Sequence, residues 1–155
     1  MRHEYEAKVE WQRGDQDFLK NKYSRVHTWT FDGGTVVPAC ASPKVIPPPL
    51  SSEEAVDPEE ALVASVSSCH MLWFLALAGK KKLVVESYQD NAVGILEKDS
   101  DGKTAITEVI LKPNIVFGGD EGPDKELLDE LHEQAHDLCF IANSLKSEVR
   151  VEPVS

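Results

Sequence analysis

Two cysteines and three histidines are the residues whose types and spacing could do chemistry. Cys69 stands in Ser67-Ser68-Cys69-His70, and Cys139 closes the run His132 to Cys139. The reactive form of a cysteine is its thiolate. A first sulfur that attacks an oxidant, with a second that condenses with the resulting sulfenic acid, makes a complete redox cycle. The rival reading of Cys69 is packing. Leu62, Val66, Trp73 and Ala76 share its helical face, so the sulfur should be largely buried, and a buried free cysteine behaves as a small hydrophobe. Ser67, Ser68 and His70 flank it, however, and buried polar groups need partners. His132, His136 and Cys139 form H-x3-H-x2-C on one face of a helix. With Cys69 they would make a His2Cys2 zinc set, although on an acidic amphipathic helix the same spacing suits a solvated face. His27 and Arg25 alternate among Tyr23, Trp29 and Phe31, where strand side chains point in or out by turns.

The elements that must position these residues are legible. Tyr5, Ala7, Val9 and Trp11 alternate with polar residues, as in a half-buried strand. Lys22 to Phe31 is β-branched and aromatic, and Asp32-Gly33-Gly34 supplies a hairpin turn into Thr35-Val36-Val37. Five of the nine prolines lie between Pro38 and Pro49, which predicts an extended connection carrying Cys40, to which no role is assigned. Asp57 then N-caps a helix, with Pro58 in the first turn and Glu60 completing a capping box. The helix runs to Gly79 as C′, ahead of Lys80-Lys81-Lys82. Leu83 to Leu96 and Ala105 to Phe117 read as two strands, each with room for a bend, joined through Asp99 to Gly102. A second helix starts near Pro123 or Asp124, with Leu127, Leu128, Leu131, Ala135 and Leu138 as its apolar stripe. Ser147 to Val154 suits a last strand. The order β, buried helix, β, amphipathic helix, β predicts an α+β fold in one domain, residues 1–155.

Composition narrows the partners. The 155 residues carry 16 Lys+Arg against 27 Asp+Glu, a net charge of −11. That balance argues against nucleic acid and against anionic membrane surfaces. Ala61 to Ala78 is apolar enough to raise a membrane question. Its serines and His70 favour instead a soluble helix buried on all sides. Three cysteines are too few for a disulfide scaffold, and the first residues carry no apolar signal core, so the expected address is cytoplasmic. No G-x-S-x-G elbow, P-loop or dinucleotide fingerprint occurs.

Asp57-Pro58-Glu59-Glu60-Ala61-Leu62 followed by Ser67-Ser68-Cys69-His70 on one apolar helix resembles the OsmC/Ohr family, the osmotically inducible and organic hydroperoxide resistance proteins. That family places a reactive cysteine ten residues after the glutamate of a Pro-Glu pair, the separation of Glu59 and Cys69. Its second cysteine ends its second long helix, as in Ala135-His136-Asp137-Leu138-Cys139. Here Phe140 follows, where a proline often stands in the best-known branches. The resemblance implies antiparallel sheets around a long buried central helix and an intertwined homodimer with sites at the subunit interface. It implies reduction of organic hydroperoxides by a cysteine pair, recharged by an external dithiol, in some members a lipoylated protein, without cofactor or metal. By position, Cys69 is peroxidatic, Cys139 resolving, and Glu59 orients an arginine from an early strand. Arg25 is the candidate, with Arg13 the runner-up. Ten residues of helix span about 15 Å, so Arg25 must bridge Glu59 to Cys69, or one partner must come from the other subunit. Two rival readings keep other chemistry open: a small-ligand-binding protein with structural cysteines, and a zinc protein using His132, His136 and Cys139.

Overall fold

The computed structural model describes residues 1–119 and 122–154. Along the chain run β1 (Ala7–Glu10), β2 (His27–Phe31), β3 (Val36–Ala39), α1 (Pro58–Lys80), β4 (Val85–Asp90), β5 (Val93–Lys98), β6 (Thr104–Leu111), β7 (Pro113–Phe117), α2 (Lys125–Leu138), a 3-10 turn (Ala142–Ser144) and β8 (Glu148–Val151). The class is α+β, as expected. Contacts along the chain group into two compact units, Met1–Ala61 and Leu62 to the C-terminus.

The first unit is an antiparallel sheet in the order β1-β2-β3. The Asp32-Gly33-Gly34 hairpin forms as read: Gly34 takes φ +88, and its N–H bonds the Phe31 carbonyl at 2.9 Å. Pro38 is tolerated because β3 is an edge strand. All four residues of β1 are exposed, so its alternation does not bury one face as the sequence suggested; it is an edge strand, paired with β2. The proline-rich crossing returns to the sheet, where Val56 N–H bonds the Pro38 carbonyl and Cys40 N–H bonds Val56. Cys40 is thereby fully buried.

In the second unit the two long strand segments each break in the middle. β4 pairs β7, while β5 pairs β6, both antiparallel, and β8 joins β6 in parallel. Asp90 holds the break together. One carboxylate oxygen accepts the Lys112 N–H at 2.6 Å and the other accepts the Ser67 hydroxyl of α1. Two cores result. Phe74, Ala78, Ile115, Leu131 and Ala135 form one, and Val66, Val109 and Leu111 the other. Gly94 lets β5 pass close to α1, because a Cβ there would meet the Val63 methyl at 2.5 Å.

The start of α1 is the capping box the sequence predicts: Glu60 N–H donates to Asp57 Oδ1 at 2.8 Å and Asp57 N–H to Glu60 Oε1 at 2.9 Å. Its end differs. Gly79 stays helical, and Lys82 takes the left-handed turn at φ +61, with Leu83 N–H reaching back to the Ala78 carbonyl. Lys80 extends the helix one residue past the expected glycine, and Lys81 and Lys82 form the turn that ends it. By length and composition α1 could cross a membrane; in this chain it packs one stripe, Val66, His70, Phe74 and Ala78, at steps of four. It is therefore not buried on all sides, because Ala64, Ser68, Leu72 and Ala76 form an opposite stripe that stays exposed. In α2, Asp124 is the N-cap, accepting from Leu127 N–H at 2.8 Å. Leu131 and Ala135 are buried as read, but Leu138 is exposed and His132 takes a buried place beside Leu131.

Candidate active site

α1 and α2 each bring one thiol to the same place. Cys69 lies mid-way along α1 and is half-buried, not largely buried, because the inward stripe passes through His70 instead. Cys139 is the C-cap of α2 and is 1 % exposed. The chain leaves the helix there with ψ 109, and the turn that follows folds amides onto the sulfur: Ala142 N–H donates to Cys139 Sγ at 3.4 Å. Both cysteines are free thiols, and their side chains share a hydrogen bond. Burial is the largest influence on Cys139 and pushes its pKa up. The bond to Cys69 also favours its protonated form, while the amides of Ala142 and Ile141 pull the other way. Cys139 is thus the thiol that keeps its proton, and the half-exposed Cys69 is the one a solute can reach. Trp73, one turn after Cys69, meets Phe140, the residue after Cys139, edge to face at 5.6 Å between centroids. Phe140 is 68 % exposed, so the thiol pair has an aromatic rim open to solvent.

A second pair lies beside the first. His70 Nε2 and His132 Nδ1 are 3.0 Å apart, with their rings nearly parallel at 7°. His132 also stacks on Phe74 at 4.5 Å. Burial lowers the pKa of His70 to about 3, with charge repulsion from His132 and His136 adding to it. Burial lowers His132 to about 4, against an upward pull from Asp129 and Asp90. Both imidazoles are neutral at physiological pH. His132 is therefore no part of a solvated face, as the acidic helix had suggested. The signal was available: His70 falls at the step of four from Val66 and Phe74, and His132 at the step of four from Leu128 on the apolar stripe. Ser67, another flanking polar residue, finds its partner in Asp90.

The zinc reading is not supported. Among the described residues no group of three or more His, Cys, Asp or Glu side chains is arranged to hold a metal ion. His132 has turned its Nδ1 to His70, which takes that lone pair or N–H out of any ligand set.

The remaining expected residues lie in the first unit. Glu59 is in the first turn of α1, and its Oε2 is buried without a hydrogen-bond partner. Arg25 does not come from a strand; it precedes β2, in a segment tied by its N–H to the Leu50 carbonyl. Its guanidinium donates to the Tyr23 carbonyl at 2.5 Å and to Asn21 Oδ1 at 2.7 Å, and lies 3.8 Å over the Tyr23 ring. Arg25 is thus engaged locally and is not paired with Glu59. Arg13, in the turn after β1, donates to the Gln16 carbonyl at 3.1 Å and lines an open pocket of about 610 Å³ with Asp15, Gln16, Asp17, Phe18 and Leu19. His27 is held between the Arg25 carbonyl and the Trp29 indole N–H.

Comparison with known proteins agrees with this architecture. An OsmC-like protein of unknown function from Vibrio cholerae is 54% identical, with a TM-score of 0.96 over 99% of this chain and 100% of that one. The organic hydroperoxide resistance protein OhrB of Bacillus subtilis shares the fold at 18% identity, with a TM-score of 0.68 over 97% of this chain and 98% of that one. The uncharacterized protein YmaD of Bacillus subtilis is 23% identical over 124 residues, covering 79% of this chain and 80% of that protein. The family described as OsmC-like protein is matched by residues 51–154, a span that takes in α1, α2 and both thiols, and to that family this chain belongs.

Proposed function

We propose that this protein is a thiol-dependent peroxidase that reduces organic hydroperoxides in defence against oxidative stress. The observation that carries the reading is the thiol pair: a reachable Cys69 hydrogen-bonded to a buried, protonated Cys139. Its solved fold neighbours include organic hydroperoxide resistance proteins. The cycle has three steps. Cys69 thiolate attacks the distal peroxide oxygen, the O–O bond breaks, and an alcohol leaves after taking one proton. Cys139 then displaces hydroxide from the Cys69 sulfenic acid, giving a disulfide and water. An external dithiol, such as a lipoylated protein, returns both thiols. The Trp73–Phe140 rim suits an apolar ROOH better than hydrogen peroxide.

The thiolate needs a cation that does not titrate, which arginine supplies. Glu59, with its buried unpartnered oxygen, is the carboxylate to orient it. Arg25 is the candidate and Arg13 the alternative. The exposed stripe Ala64, Ser68, Leu72 and Ala76 on α1 is the face a second copy would cover, so the working form is a homodimer, and its proposed place of action is the cytoplasm.

The test is a free-thiol count and intact mass before and after one equivalent of cumene hydroperoxide. Loss of two thiols, mapped to Cys69 and Cys139, is the expected result. Retention of both thiols would leave the cysteines as packing and favour a ligand-binding role for the fold.

A further inference from the structure

The histidine pair has no part in that cycle, and its energetics are unfavourable for a purely structural feature. Each neutral imidazole has one N–H and one lone pair. Whichever ring donates across the 3.0 Å bond, the outer nitrogens remain, and His70 Nδ1 and His132 Nε2 are both buried without a partner. One bond is made, while one donor and one acceptor are stranded. Two apolar residues of similar size would fill the site at no such penalty, because replacing both partners of a buried bond is nearly neutral or stabilising. The pair therefore offers little to stability and needs another reason to be there.

Its position supplies one. His70 directly follows Cys69 on α1, and His132 lies on the same face of α2 as Cys139. The bond joins the same two helices that carry the thiols. An apolar interface alone permits small slides and rotations, whereas a hydrogen bond with defined direction holds one register. We propose that His70 and His132 are positioning residues: their hydrogen bond locks α1 and α2 in the register that keeps Cys69 and Cys139 within bonding reach. His136, whose Nδ1 is likewise buried and unpartnered, faces the same pair from α2. Asp129 of α2 and Asp90 of β4 are the acids that act on His132. The inference rests on the redox reading of the two thiols, but it concerns their geometry and not the peroxide.

The experiment measures the equilibrium between the full-length protein and a glutathione buffer, in which oxidised glutathione plus two protein thiols give the Cys69–Cys139 disulfide and two reduced glutathiones. Peptide mapping quantifies that disulfide apart from Cys40. Three proteins are compared near neutral pH: wild type, His70→Leu/His132→Leu, and His70→Gln/His132→Asn. Glutamine places an amide N–H where Nε2 stood, and asparagine places its amide oxygen where Nδ1 stood, so that glutamine donates to asparagine and the second variant rebuilds the bond. The leucine variant is expected to fold with wild-type or greater resistance to urea and yet lose about tenfold in the disulfide equilibrium constant, the worth of one net hydrogen bond. The amide variant is expected to recover most of that loss. A folded leucine variant with the wild-type constant would overturn the inference, and so would an amide variant as poor as the leucine one. If the leucine variant does not fold, the amide variant decides: a wild-type constant supports the register role and a tenfold loss overturns it. A wild type that forms no Cys69–Cys139 disulfide at any glutathione ratio would instead sink the redox reading itself.

Discussion

At the scale of single residues, the chemistry turns on two sulfurs in unequal surroundings. Burial and the shared bond raise the pKa of Cys139, while Cys69 is open enough to meet a solute. Cys69→Ser is therefore expected to abolish hydroperoxide consumption. Cys139→Ser is expected to allow one turnover and stop at a sulfenic acid that a dimedone probe traps by mass. If Cys139→Ser blocks the first turnover instead, the roles of the two sulfurs are reversed. The arginine is decided by comparison: charge-conserving Arg25→Lys and Arg13→Lys both keep a cation but lose the planar fork. The one whose loss slows the first-turnover burst at least tenfold is the one facing the thiol. The local bonds of Arg25 to Tyr23 and Asn21 give it a structural role, so its variant should also lower resistance to urea.

At the scale of elements, α1 carries most of the information. Its Asp57–Glu60 box satisfies two amides at once, and Asp57→Ala is expected to cost about 1 kcal/mol in urea unfolding. At the other end Lys82 sits at φ +61, a conformation that strains any side chain. Lys82→Gly is expected to be neutral or to stabilise by up to about 1 kcal/mol; a clear destabilisation would mean that the lysine side chain makes a compensating contact. Between these ends the inward stripe includes Phe74, fully buried and in ring contact with Tyr88, Phe117 and His132. Phe74→Ala is expected to cost about 3–5 kcal/mol.

At the scale of the molecule, the histidine pair ties stability to pH. His70 and His132 titrate near 6.5 when unfolded and at about 3 and about 4 when folded. Between those values the unfolded chain binds more protons. Stability present above pH 6.5 is thus lost as pH falls toward 4, with a slope approaching about 1.4 kcal/mol per pH unit for each histidine. Urea unfolding at about pH 7.5 and about pH 5 measures it, and His70→Gln/His132→Asn should flatten the slope. Equal slopes in the two proteins would remove these histidines as the cause. The exposed stripe of α1 gives a second expectation. Light scattering should report a dimer, and Leu72→Glu, which puts a charge on a 60 % exposed apolar residue, should shift it toward monomer.

By itself the sequence determined what is local. The capping box of α1, the Gly-Gly hairpin and the amphipathic stripe of α2 are written in neighbouring residues, because caps, turns and helical faces depend on positions no more than a few residues apart. The family resemblance, carried by Pro58-Glu59 and Cys69 and again by Cys139, was legible for the same reason: it rests on local runs of residues, one in each helix. Only the tertiary structure decided which side chains meet. Cys69 and Cys139 are seventy residues apart in the chain and share a hydrogen bond. His132 looked like part of a solvated acidic face until His70, sixty-two residues away, took its Nδ1. The bends that split the two long strands are bridged by one carboxylate, Asp90, that bonds both α1 and the β6–β7 junction. Such contacts have no period and no spacing for a sequence to display. They arise when apolar stripes on separate elements bury one another and carry their polar neighbours along, and those neighbours then pair with whatever the packing has placed beside them.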